Sequence, residues 1–204
     1  MLVLASASPR RQELLRNAGI PFVVQSTNIP EVPQPGEAPR AFAERMAREK
    51  ALAVFRRRPN DFVLGADTIV IVDGEILGKP RDSADAVRML SMLSGRTHQV
   101  VTGVCLVGPR LRTRLRTDDQ QPEAGFEDIR SETTLVTMDP LGDDDIRSYV
   151  AAGEPTDKAG AYAIQGRASR WVSHIEGDYF NVVGLPVSLV YKMLQEHGAI
   201  EIET

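Results

Sequence analysis

The sequence predicts an α/β fold whose sheet is at least partly antiparallel. Three observations carry that prediction. Strand-like and helix-like segments alternate along the chain. Asp73-Gly74 separates Ile69–Val72 from Glu75–Leu77, a strong two-residue hairpin signal. Gly19, Gly153 and Gly198 stand just past three helix-like segments, where a left-handed cap residue is expected.

The elements follow in order. A short apolar run, Leu2-Val3-Leu4-Ala5, reads as a strand over 2–5. Ser8 is a good N-cap and Pro9 fits the first turn of a helix over 9–18. A strand over 22–25 and a helix over 39–55 come next, then strands over 62–72 and 75–78 around the hairpin turn. A helix over 83–93 and a strand over 98–107 precede a charged segment, 108–130, which contains Pro and Gly. That segment reads as an extended hairpin loop, with Arg110, Arg112, Arg114 and Arg116 facing several acids in solvent. Beyond it lie a strand over 132–138, a helix over 143–152, a strand over 172–183 and a helix over 187–197 opened by Pro186.

With 204 residues, 42% of them apolar and 25% charged, the chain suits a single domain, 1–204, with a proper core. No apolar run approaches membrane-spanning length, and the N-terminus lacks the features of a secretion signal. The one cysteine, Cys105, fits a reducing cytoplasm and sits in a strand-like run as a small core residue. His98, His174 and His197 have no zinc-type spacing and read as surface or hydrogen-bonded residues. A net charge of −4 argues against a general nucleic-acid binder. Residues 1–60, however, carry ten Arg/Lys against five Asp/Glu, while the remainder carries fourteen against twenty-three. A basic first segment in an acidic protein points to a confined anion site.

Ser6-Ala7-Ser8-Pro9-Arg10-Arg11 is the natural place for such a site. Free N–H groups at the helix start and two arginines suit a phosphate, although a capped surface helix carries the same residues. Asp67 interrupts the apolar run Phe62 to Val72, where a carboxylate is costly unless paired, hydrogen-bonded or metal-bound. Lys50 falls mid-way across the apolar arc of its helix, so it either snorkels to the core's edge or reaches across a cleft to a phosphate. Lys79 closes the second hairpin strand, and Glu31 lies in a Pro-rich loop, Ile29-Pro30-Glu31-Val32-Pro33. Asp67 and Glu31 together supply two carboxylates for a divalent cation. Gln165, in the dense segment Glu154 to Gly166, carries a donor and an acceptor that suit a base edge.

The ordered set Ser6 to Arg11, Gly65-Ala66-Asp67-Thr68, Lys79-Pro80, Ser94-Gly95-Arg96-Thr97-His98, Glu154-Pro155 through Gln165-Gly166, and Asn181-Val182-Val183-Gly184-Leu185-Pro186 resembles the Maf family of nucleoside triphosphate pyrophosphatases, also known as septum formation inhibitors. The resemblance implies an elongated mixed sheet flanked by helices with a central cleft, similar to inosine triphosphate pyrophosphatases. It also implies a homodimer and a requirement for Mg2+ or Mn2+. Carried over, the catalytic aspartate is Asp67, its assisting glutamate Glu31, and the phosphate-binding lysines Lys50 and Lys79, the latter completing the catalytic set. Ser8 and Arg11 match the phosphate-binding loop, and Asp67 and Glu31 the metal site. The positions that separate substrate branches fall on Arg10, Thr68 and Gln165. There the chain looks like the branch acting on dTTP and UTP, since the 7-methyl-GTP branch has Gln after the aspartate and Glu in place of Gln165. The reading implied is hydrolysis to a monophosphate and pyrophosphate in the cytoplasm, with no nucleic-acid or membrane partner. The alternatives are a 7-methyl-GTP or broad-specificity pyrophosphatase and a non-catalytic nucleotide-binding regulator of septum formation.

Overall fold

The computed structural model describes residues 1–109 and 125–200. Strand β1 (Leu2–Leu4) is followed by α1 (Pro9–Asn17), β2 (Val23–Val24), α2 (Pro39–Phe55), β3 (Phe62–Val72), β4 (Glu75–Leu77) and α3 (Ser83–Leu93). Then come β5 (Thr97–Gly108), β6 (Phe126–Met138) and α4 (Asp143–Ala151). Three 3-10 turns, Glu154–Asp157, Ala159–Ala161 and Arg167–Trp171, lead to β7 (Val172–Glu176), α5 (Tyr179–Val183) and α6 (Val187–Glu196). The strands form one seven-stranded mixed sheet in the order β2-β1-β3-β5-β6-β7, with β4 paired to β3. β1 runs parallel to β2 and β3, whereas β3–β4 and β6–β7 are antiparallel. The hairpin forms with Asp73-Gly74 as its turn, both residues at positive φ. No helix among the described residues is long and apolar enough to cross a membrane.

The backbone divides into two compact units. The first comprises residues 1–67, 103–131 and the segment from 187 onward; the second comprises 68–102 and 132–186. In the first, Val3, Ala5, Val54, Phe55, Val63, Cys105 and Val107 form a buried cluster with Ala47 and Ala51. Cys105 is thus the small core residue expected, its thiol pushed up to about 12 by burial. Helix α2 presents Ala43, Ala47 and Ala51 at i, i+4 spacing, and the strands answer with glycines. A Cβ on Gly65 of β3 would lie 2.1 Å from Ala47 O and 2.8 Å from Ala51 N. One on Gly103 of β5 would lie 2.4 Å from Ala43 O. Helix backbone and strand backbone are therefore in direct contact, which fixes the height of α2 above β3.

In the second unit, α3 and α4 bury Leu90, Leu93 and Tyr149, and Tyr149 meets Trp171 edge to face. His98 is buried and its Nε2 lies 2.8 Å from Tyr162 Oη. Burial lowers the His98 pKa to about 4, so it stays neutral near pH 7.

Two expectations need correcting. The strand expected over 172–183 stops at Glu176. Gly177 turns the chain, and Asp178 Oδ1 accepts the Phe180 N–H at 2.7 Å, capping helix α5. The loop expected over 108–130 is already strand from Phe126, and Gly108 closes β5. Charge concealed this strand. Its acids are paired across the unit, Glu127 with Arg48 and Asp128 with Arg130 and His197, while the Phe126 ring stacks on His197 at 3.8 Å. Residues 110–124 of that loop, with the four arginines, lie outside the described residues.

Gly65→Ala is expected to cost about 1–3 kcal/mol in unfolding free energy, because α2 must retreat from β3. Gly78→Ala, at an open position, is expected to stay within about 0.5 kcal/mol. Urea denaturation of the two variants checks this.

Candidate active site

Asp67 lies inside β3 and is 5% exposed, so the strand continues through the carboxylate. The helix–strand contact at Gly65 brings Lys50 of α2, itself 8% exposed, down onto it. Lys50 Nζ donates to Asp67 Oδ1 at 2.6 Å and to Glu31 Oε1 at 2.6 Å. One ammonium thus bridges the two carboxylates. Of the two fates open to Lys50, the structure shows neither simple snorkelling nor a free end: the head is held by acids. Burial pushes the Asp67 carboxyl above its usual pKa; Lys50 and Arg11 pull it down, and Glu31 adds to the rise.

The start of α1 is built as its sequence requires. Ser8 caps the helix, its Oγ accepting the Arg11 N–H at 3.5 Å, and Pro9 takes the first helical position. Arg11 is half-buried rather than solvated. Its Nη1 donates to the buried Ser6 Oγ at 3.1 Å, and Ser6 Oγ also accepts the Ser8 N–H at 3.3 Å. Burial lowers the Arg11 pKa, while the charges of Asp67 and Glu31 and the like charge of Arg10 act on the same guanidinium. Arg10, in the first turn, is half-buried as well.

Glu31 comes from an irregular loop and needs an anchor, which the sequence did not disclose. Arg45 of α2 supplies it. Its Nε and Nη2 grip Glu37 at 2.6 and 2.7 Å, Nη2 donates to Val32 O at 3.1 Å, and Nη1 reaches Glu49 at 3.0 Å. The fork holds Glu37 down to a pKa of about 2. The Val32 carbonyl adjoins Glu31, so Arg45 ties the loop to the helix that carries Lys50. Only the Arg45–Glu49 pair, at i,i+4, had a signature in sequence.

The remaining candidates belong to the second unit. Thr68 follows Asp67 on β3. With the Thr102 proton on Asn181 O, Thr68 Oγ1 donates to Thr102 Oγ1 at 2.9 Å, and Gly184 O lies 3.3 Å from Thr68 Oγ1. Thr102 Oγ1 donates to Asn181 O at 3.2 Å, and the buried Asn181 amide donates to Val100 O and Thr134 Oγ1 at 3.0 and 2.9 Å. In sequence Asn181 is legible only as part of a motif, because its partners lie on other elements. Lys79 is exposed just past β4. Its neighbour Gly78 accepts the Gly160 N–H at 3.1 Å, tying the hairpin's end to the segment that bears Gln165. Gln165 is exposed on a turn closed by Gly166 N–H to Ala163 O at 3.0 Å.

Two carboxylates converging on one cationic nitrogen suit a hard divalent cation, which commonly takes one or two carboxylates and completes its shell with water and phosphate oxygens. Among the described residues no group of three or more His, Cys, Asp or Glu accompanies them. The set therefore fits a cation that shares its coordination with a phosphate ligand better than a closed structural metal site.

Residues 1–197 match the Maf-like protein family. The dTTP/UTP pyrophosphatase of Koribacter versatilis is 53% identical, over 98% of this chain and 95% of that protein. The dTTP/UTP pyrophosphatase of Geobacter sulfurreducens is 51% identical, over 98% of this chain and 97% of its own. Among solved structures, the Ham1 protein of Staphylococcus aureus aligns with 96% of this chain and 98% of its own at 15% identity, with a TM-score of 0.47.

Lys50→Met keeps the buried stem and removes the ammonium that Asp67 and Glu31 share. Breaking such a pair is expected to cost about 3 kcal/mol at pH 7. The folded-state pKa of Asp67 already stands above its unfolded value, so its protonated form contributes stability that is lost as pH rises through that pKa. Without Lys50 that pKa rises further. The deficit of the variant should therefore shrink as pH falls and grow as pH rises, which thermal melts across the acid range will check.

Proposed function

The chain belongs to the Maf family, and we propose that it is a nucleoside triphosphate pyrophosphatase that hydrolyses dTTP and UTP to the monophosphate and pyrophosphate. The observation that carries this reading is the buried Asp67 carboxylate, joined through Lys50 to Glu31 with Arg11 beside them. A merely structural ion pair would not need a second carboxylate and a half-buried guanidinium at the same place.

In this reading water attacks the α-phosphorus and the α–β anhydride bond breaks, with pyrophosphate as the leaving group. The barrier is dominated by charge on the phosphoryl oxygens, so positioned cations lower it. Arg11 and Lys50 neutralise that charge, and the N–H groups at the start of α1, shaped by Ser8, donate to phosphate oxygens. Lys79 supplies a further cation. Asp67, whose proton affinity is raised by burial, accepts the proton of the attacking water. A bound Mg2+ or Mn2+, held by Asp67 and Glu31, would polarise phosphoryl oxygens. As phosphate draws Lys50 towards itself, the two carboxylates are released from the ammonium they share.

Base selection is assigned to Gln165. Thymine and uracil both present an N3–H donor and an O4 acceptor, which one orientation of the Gln amide matches. A wrong base would leave those groups unpaired. Arg10 and Thr68 are the other positions assigned to selectivity, Thr68 through the strand geometry its hydroxyl fixes. On the same family footing we propose a homodimer acting in the cytoplasm.

Purified protein should be incubated with Mg2+ and a panel of triphosphates, with products separated by chromatography. dTTP and UTP are expected to give monophosphate and intact pyrophosphate. Diphosphate with single phosphate would refute the reading. Asp67→Asn is expected to fold and to lose about 10²- to 10⁴-fold in kcat; a rate within a fewfold of the parent would remove Asp67 from the chemistry.

A further inference from the structure

Gln165 stands on a turn whose two shoulders are both clamped by one pair of side chains. On one shoulder, the Ala163 N–H donates to Tyr149 Oη at 3.1 Å. On the other, the Arg167 N–H donates to Glu154 Oε1 and Oε2 at 3.0 and 3.2 Å. The clamp is closed by Tyr149 itself, whose hydroxyl donates to Glu154 Oε1 at 2.9 Å. Between the shoulders, the Gly166 N–H closes the turn on Ala163 O.

The pair is rigid for identifiable reasons. Tyr149 is fully buried on α4, with its ring edge to face against Trp171. Burial lifts its phenol far above the usual range, so the hydroxyl keeps its proton and can donate to Glu154 while accepting from Ala163. Glu154 opens a 3-10 turn, and its backbone carbonyl accepts from Lys158 Nζ at 2.6 Å. The approach of the carboxylate to the turn is so close that a Cβ on Gly166 would lie 2.0 Å from Glu154 Oε1. Only glycine at 166 leaves room for the carboxylate to take both oxygens to the backbone beside Gln165.

We propose that Glu154 and Tyr149 are positioning residues for base selection: through the 163–167 backbone they fix the place from which the Gln165 amide meets the pyrimidine edge. The inference rests on the reading of Gln165 as the base-selecting residue. Neither side chain needs to touch the substrate. Their contribution is preorganisation, since a displacement of about 1 Å at a recognition group can cost on the order of a hundredfold in rate.

The test compares kcat/KM for dTTP, for dCTP, whose base reverses the donor and acceptor at the pairing edge, and for the base-less deoxyribose 5-triphosphate. Variants are Tyr149→Phe, Glu154→Ala, Glu154→Gln, Gly166→Ala and Gln165→Ala. Tyr149→Phe keeps the packing on Trp171, so it reports even if Glu154→Ala fails to fold. Tyr149→Phe and Glu154→Ala are expected to lower the dTTP/dCTP ratio about tenfold, chiefly through KM for dTTP, with a much smaller change on the base-less triphosphate. Glu154→Gln, which keeps an acceptor oxygen at the same reach, should recover part of the ratio. Gly166→Ala should mimic Glu154→Ala without adding to it in the double variant. If Gln165→Ala collapses the ratio while Tyr149→Phe and Glu154→Ala leave it intact, or lower all three substrates equally, the positioning role is wrong and the reading of Gln165 survives. If Gln165→Ala leaves the ratio intact, the reading of Gln165 fails and the positioning role falls with it.

Discussion

The ammonium of Lys50 between the carboxylates of Asp67 and Glu31 is the interaction on which the first unit's site depends. Placing Asp67 inside an apolar strand has a large desolvation cost, which burial alone would relieve by protonating it. Lys50 and Arg11 oppose that, leaving a carboxylate that is ionisable yet eager for a proton. On the proposed reading the same cations receive the phosphate oxygens. In that reading, when those cations turn to phosphate, Asp67 must be matched by the proton it accepts or by a cation it helps to hold.

The rest of that unit holds the bridge in place. Alanines on α2 against Gly65 and Gly103 set the helix height, and with it the reach of Lys50. Arg45 fastens the Pro-rich loop through Glu37 and the Val32 carbonyl, and so delivers Glu31. Ser6, at the end of β1, takes hydrogen bonds from both the Arg11 guanidinium and the Ser8 amide. The second unit uses neutral networks instead. Asn181 joins Val100 and Thr134 by its amide and Thr102 by its backbone carbonyl, which steadies Thr68 beside Asp67. The Glu154–Tyr149 pair does the same for the turn bearing Gln165.

Local signals were readable in the sequence because local physics made them. The apolar run of β3, the Asp73-Gly74 turn, the Ser8 cap and the glycine stops each follow from a few neighbouring residues. Asp67 stood out because an ionisable group in an apolar run needs a partner, and Lys50 because helical spacing placed it among Phe42, Ala43, Met46 and Ala47. Their mutual contact was not readable, since it joins a helix to a strand across seventeen positions. Arg45 and Glu37 were missed because one sits in a helix and the other in an irregular loop. The helix at Tyr179–Val183 was hidden by an apolar stretch that suits either element, with Asp178 as its only marker. The early start of β6 was hidden by acids whose partners lie on other elements. Similarity over the full set of motifs points to the family without any of these contacts.

A crystal structure with Mg2+ and a non-hydrolysable dTTP analogue tests the central claim most directly. The account requires a phosphate oxygen within hydrogen-bond distance of both Lys50 Nζ and the Arg11 guanidinium, with the α-phosphorus beside Asp67. A triphosphate bound elsewhere, with the Lys50 bridge to Asp67 and Glu31 undisturbed, would contradict it.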